Sequence, residues 1–250
     1  MTIRHHTDTA AKSAGLDGRI QDLLEWITEH NREFLIGLGV LVVCVAIGAV
    51  VWEVAKSRRT AASAELAAIE AGFVSEMGSE PSAAMIAEPA NPEQAKKARE
   101  AALAKFDAFA QAHGNSDLAR DARLRSGELE VDLRQLDAAD TRLAALIAEL
   151  GDRDPRKAMA LGLRGYVLEE LDRPKEAAPL YEAGGAIESY PPRALLWLTA
   201  ARTHMRLGEH ESALKALDRA IEAEADLETD PEVASMRREV QAEIAQSPAH

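Results

Sequence analysis

A chain of 250 residues with 47% hydrophobic but only 4% aromatic side chains has room for one sizeable domain plus an anchor, and its alanine, leucine, glutamate and arginine usage favours packed helices over sheets. Of the net charge of −13, −2 falls in the first 52 residues and −11 in the remaining 198, which carry no extended run of lysines or arginines; the footprint for neutralising phosphates is missing, which excludes nucleic acid as a partner. The single cysteine, Cys44, excludes an internal disulfide and fixes no redox compartment.

Residues 1–33 read as a leader. The first 13 lack a pattern, and the adjacent His5 and His6 have no further ligands near them to make a metal site. Leu16, Ile20, Leu23, Leu24 and Ile27 then recur at helical spacing, with Asp17, Asp22, Glu25 and Glu29 on other faces, which predicts an amphipathic helix along the headgroups. Residues 34–52, FLIGLGVLVVCVAIGAVVW, are nineteen positions without a charge between Glu33 and Glu53. As a helix they reach about 28 Å, against a hydrocarbon core of ~30 Å, with Trp52 at an interfacial level. Thirty-three residues precede this run, and no small-x-small site follows it before Lys56, Arg58 and Arg59, so a retained anchor is expected rather than a cleaved signal. Gly37, Gly39 and Gly48 are spaced too irregularly for a GxxxG dimer face. Arg19 and Arg32 on one flank against Lys56, Arg58 and Arg59 on the other lean, taken alone, toward a cytoplasmic carboxyl domain.

Residues 53–92 read as a connector. Ala62, Leu66, Ile69 and Phe73 predict a helix over about 58–77, and Gly78, Pro81, Pro89 and Pro92 with Ser79 and Ser82 predict an irregular loop after it. From 93 to 250 the chain repeats. Segments beginning at Arg120, Ala158 and Ala194 align with offsets of 38 and then 36 residues, each a pair of helices around a short polar turn. Small residues Gly127, Gly165 and Ala201 lie where the second helix must cross closely. The second helix answers with Ala139 and Leu143, Ala177 and Tyr181, Ala213 and Leu217. One pair cannot bury both of its faces, so stacked pairs form a solenoid. Asp230 and Pro231 are placed to cap and open a last helix, whose single stripe of Val233, Met236 and Val240 closes the core.

These residues resemble the tetratricopeptide repeat, most closely in the last unit through Trp197, Ala201, Gly208, Ala213, Leu217 and Ala220; the first unit has Arg123 where an aromatic is usual. Upstream, Phe106 and Phe109 share a helix before a His-Gly-Asn-Ser turn, similar to a junction of bacterial envelope repeat proteins. A groove in such a solenoid is lined by first-helix positions facing away from the core: Leu124, Glu128 and Val131, then Met159, Tyr166 and Glu169, then Leu195, Leu198, Arg202 and Met205. Apolar side chains there suit a partner helix or an unfolded segment, unless a neighbouring repeat or the chain before residue 93 covers them. Leu124, Gly162 and Leu198 stand where repeats that clamp chaperone carboxyl termini carry lysine or asparagine, which argues against that activity. Trp197 is expected to pack, and Gly184 with Gly185 to permit close helix contact or end a helix.

No phosphate loop, CxxC, HExxH or GxSxG occurs. His204 and His210 fall on different helices across the turn at Gly208, and the carboxylates are expected on solvated faces. No catalytic residue, cofactor, metal or small-molecule substrate is expected.

The order of leader, anchor, basic KSRR segment, alanine-rich helix and degenerate repeats resembles the ancillary SecYEG translocon subunit family (YfgM-like) over residues 16–225. The resemblance implies a bacterial inner-membrane protein with its amino end in the cytoplasm and its repeats in the periplasm, where translocon subunits, a periplasmic chaperone or exported clients would be its partners. A scaffold for cell division, outer-membrane assembly or cytochrome c maturation is the alternative. The fold expected is all-α: one transmembrane helix followed by a tetratricopeptide-repeat-like helical solenoid.

Overall fold

The computed structural model describes residues 31–79 and 88–246; the His5–His6 pair and the amphipathic stretch Leu16–Ile27 lie outside them. Among the described residues there are nine α-helices, one 3-10 turn and no strand. The chain divides into two compact units, Met1–Ala61 and Ala62–His250.

Helix α1 covers Asn31–Glu76. The separate helix expected from about residue 58 is part of this continuous one, because neither glycine nor proline occurs between Gly48 and Gly72 to stop it. Its apolar stretch has a mean hydropathy of 2.8 over eighteen residues, none of them buried. The bulky side chains from Leu35 to Val54 are exposed throughout, and the helix is long and apolar enough to cross a membrane. It ends where Gly78 takes a φ of 80° and the Ser79 N–H donates to the Val74 carbonyl at 3.1 Å, satisfying an otherwise orphaned acceptor.

The second unit contains the rest: α2 (Pro92–His113), α3 (Asp117–Asp132), α4 (Leu136–Glu149), α5 (Pro155–Glu170), α6 (Pro174–Gly185), α7 (Arg193–Leu207), α8 (His210–Ala223), a 3-10 turn (Ala225–Thr229) and α9 (Pro231–Gln246). Helices α3/α4, α5/α6 and α7/α8 are the three pairs that the spacing predicts. Each pair turns on one left-handed residue, Arg134 (φ 59°), Asp172 (φ 59°) or Gly208 (φ 73°). The same bond closes each turn: Gln135 N–H to the Glu130 carbonyl, Arg173 to Leu168 and Glu209 to His204, at 2.8, 2.8 and 2.9 Å.

The small-against-bulky rule holds in space. A methyl on Gly127 would sit 3.0 Å from Leu143 Cδ2, and one on Gly165 would sit 2.7 Å from Tyr181 Cε1. Tyrosine needs glycine opposite it, whereas leucine leaves more room and the third pair has Ala201 with Leu217. Gly184 and Gly185 end α6 and admit Leu196 and the Trp197 ring, whose atoms would lie 2.7 and 2.8 Å from added methyls. Trp197 therefore packs.

A further pair precedes these three. The carboxyl part of α1 from Ala62 onward shares a core with α2, in which Phe73 and Met77 join Ala102, Phe106 and Phe109. An ion pair from Lys105 to Glu76 and a 3.1 Å contact between His113 Nε2 and Glu65 set the two helices antiparallel. At the other end Asp230 Oδ1 accepts from the Glu232 and Val233 N–H groups at 2.8 and 3.1 Å, and α9 buries Val233, Met236 and Val240, as a capping helix must.

Candidate protein-binding face

The first helices α3, α5 and α7 stand side by side, tied by polar contacts. Arg156 at the start of α5 donates to the Asp117 backbone and side chain of α3 at 3.1 and 3.0 Å. Glu169 near the end of α5 accepts from the Thr203 hydroxyl of α7 at 2.7 Å, from the Tyr181 hydroxyl at 3.2 Å and from Arg206. Burial first, and then the Glu169 carboxylate, push the Tyr181 hydroxyl well above its ordinary pKa, so it stays a donor.

On this framework the expected groove residues separate into two groups. Met159, Tyr166 and Leu195 remain 40, 42 and 58% exposed, and they are the exposed large hydrophobic side chains that follow Val54 among the described residues. Met159 and Tyr166 lie seven apart on α5, while Leu195 and Arg202 occupy the same two positions on α7, 36 residues later. The four make a two-by-two array, three apolar and one cationic. Arg202 leans to Glu232 of α9 at 2.7 Å.

Leu124, Val131 and Leu198 are corrected: they are only 6, 9 and 5% exposed. Leu124 and Val131 sit in one core with Leu146, Ala160 and Val167, so the next repeat covers them. Leu198 is in the core that also holds Leu217, Val233 and Met236. Met205 is half-buried against that same core. Glu128 pairs with Arg125 at 2.5 Å, and Glu169 is taken up by the hydroxyls and guanidinium described above. These six residues support the fold and leave the open face to the array.

The expectation of solvated carboxylates fails at Glu130. Glu130 is 4% exposed and accepts from Arg142 Nε and NH2 at 2.9 and 2.7 Å; Arg142 also donates to both Asp107 oxygens at 2.8 and 3.1 Å, and Ser126 donates to Asp107 at 2.7 Å. Burial opposes the Arg142 charge, but the bonds to Glu130 and Asp107 outweigh it and hold its pKa above the ordinary value. Buried His204 has Nδ1 2.7 Å from Glu209 and Nε2 3.3 Å from Glu182, two carboxylates that stay open to solvent; it joins α7 to α6 and to the turn before α8. A hollow of about 260 Å³ between α1, α2 and α3, lined by Leu66, Phe106 and Leu118 with Glu70, Asp121 and Arg125 around them, is a further recess for an apolar side chain. Among the described residues no three His, Cys, Asp or Glu side chains are grouped to hold a metal ion.

Residues 168–240 match the tetratricopeptide repeat. That stretch takes in the end of α5, the helices α6 to α8 and the buried half of α9, where the small-against-bulky positions are best kept. Tetratricopeptide repeats are protein-interaction scaffolds and typically non-catalytic. Among solved structures, the chain is similar to a variant of the kinesin light chain nearly identical TPR-like repeats of Podosopora anserina, at 15% identity and a TM-score of 0.46, over 60% of this chain and 85% of that one. It is also similar to MamA protein, at 15% identity and a TM-score of 0.45, over 73% of this chain and 90% of that one. Likeness at this level carries nothing about partners. No curated protein matches the chain.

Proposed function

We propose that the protein is a membrane-anchored tetratricopeptide-repeat adaptor of a bacterial cell envelope. Residues 34–52 hold it in the inner membrane, the amino end lies in the cytoplasm and the repeats work in the periplasm as an ancillary part of the SecYEG translocon. The partner, a translocon subunit, a periplasmic chaperone or an exported client, presents an apolar helix or an unfolded segment to the array on α5 and α7. The observation that carries this reading is the trio Met159, Tyr166 and Leu195, left exposed on a scaffold that buries or half-buries its other large apolar side chains. Covering such side chains stabilises a complex by about 1–2 kcal/mol each, which suits reversible capture of many segments better than tight binding of one. The unburied apolar helix α1 and the order of elements along the chain support the anchor and the envelope setting.

Photo-crosslinking in membranes from Met159 and Leu195 tests the proposal, with Leu198, a buried position, as the control. Translocon subunits or exported chains are expected from the first two sites and not from the third. Recovery of division, outer-membrane-assembly or cytochrome-maturation components would favour the alternative scaffold. Recovery of the protein in the aqueous fraction after membranes are sedimented would end both.

A further inference from the structure

We infer that the turns of α1 just past its apolar stretch form a binding stripe for anionic phospholipid headgroups, built from Trp52, Lys56 and Arg59. The inference rests on the reading that residues 34–52 span a bilayer. At helical spacing of four and then three residues, these side chains lie within an arc of about 60° on one side of α1. All three are exposed, and Lys56 Nζ stands 5.4 Å from the centroid of the Trp52 ring, so the cation and the aromatic already share one place.

Their charges are unspent. Among the described residues no carboxylate pairs with Lys56, Arg58 or Arg59, whereas Arg120, Arg123, Arg142 and Arg156 of the repeats each hold an aspartate or glutamate. Glu53, the nearest carboxylate in sequence, precedes Lys56 by three residues and lies about 60° from it on the helix, but the Lys56 ammonium is drawn to the Trp52 ring instead. In a chain with a net charge of −13, three cations within four residues and without acidic partners complement an anionic surface. The surface is the one at which the apolar stretch ends. From Trp52 to Arg59 the helix rises about 10 Å, enough to traverse a headgroup layer of roughly 5–8 Å per leaflet. Trp52 then lies at its inner edge, Lys56 within it and Arg59 at its outer edge. Cations so placed attract anionic lipid, each by about five-fold in local occupancy.

The test uses the full chain with Trp26→Phe and Trp197→Phe, which leaves Trp52 as the reporter and keeps an aromatic against Gly185. It is reconstituted in phosphatidylcholine containing equal fractions of either brominated phosphatidylcholine or brominated phosphatidylglycerol, and quenching of Trp52 is compared. Quenching by phosphatidylglycerol should show an association about five-fold or more above that of phosphatidylcholine. The preference should fall to near unity in Lys56→Gln/Arg59→Gln, and should survive for the most part in Arg58→Gln, whose side chain lies about 120° away. Equal quenching by the two lipids overturns the site. So does a preference that persists in the double variant, or one that Arg58→Gln removes to the same extent. If neither lipid quenches Trp52, the membrane-spanning reading itself fails and the stripe with it.

Discussion

The two ends of the repeat unit hold their helices together by different means. Around α7, α8 and α9 the core is aliphatic, with Leu198, Leu217, Val233, Met236 and Val240 closing over Ala201, Ala213 and Ala220. Around α2, α3 and α4 part of the same task falls to charge, with Arg142 gripping Glu130 and Asp107 across three helices. Only the first of these ends falls within the stretch that matches the tetratricopeptide repeat. The difference teaches that one helix-pair geometry accepts two kinds of cross-link, aliphatic packing at one end and a closed ion network set beside an apolar core at the other.

The comparison can be broken by substitution. Leu217→Ala at the aliphatic end should cost about 4 kcal/mol in a denaturant titration of the full chain in detergent; a loss under 1 kcal/mol would mean that this core is not close-packed. Arg142→Leu should cost about 3 kcal/mol at neutral pH, because Glu130 is left buried without a partner, and adding Glu130→Leu should restore much of it. If the second substitution made matters worse, the network would owe its worth to shape and not to charge.

Smaller effects sharpen the picture. Gly165→Ala drives a methyl into the Tyr181 ring, which Glu169 holds in place, and should lower stability by about 2 kcal/mol. Gly127→Ala meets only the end of Leu143 and should cost less than half as much. Asp154→Ala removes the cap of α5, where the carboxylate accepts from the Arg156 N–H at 3.0 Å, for a loss of about 1 kcal/mol at pH 7. The Arg156 guanidinium holds the Asp154 carboxyl below its ordinary pKa. Its contribution is therefore complete above the unfolded value near ~4 and lost as pH falls through the lowered folded value. The gap between the variant and the parent protein should close in that acid window, as parallel thermal melts would show. Asp172→Gly, which relieves a left-handed φ of 59°, should raise stability by about 0.5–1 kcal/mol.

The three later pairs were legible because a small residue and a bulky partner recur at a constant offset, a signal that survives the loss of any one aromatic. The earlier pair was hidden by the longer connection between α1 and α2, although Ala102 and Phe106 stand 37 residues before Ala139 and Leu143 and carried the same pattern. At the candidate face, periodicity identified which side of a first helix points away from its own partner. It could not tell that α5 would close over Leu124 and Val131 while Met159, Tyr166 and Leu195 stayed open, since that depends on the stacking of successive pairs. The Arg142 network was unreadable for the same reason: its guanidinium and two carboxylates come from three successive helices, and only the way those helices stack brings them together.

The left-handed residue at 134, 172 and 208 acts as a phase lock. Because one extra residue in a helix turns everything after it by about 100°, a single insertion beside that joint would swing Leu143, Tyr181 or Leu217 away from the notch awaiting it. The tolerance of these repeats for altered side chains therefore does not extend to altered length: at each joint the chain can change its chemistry more freely than its count.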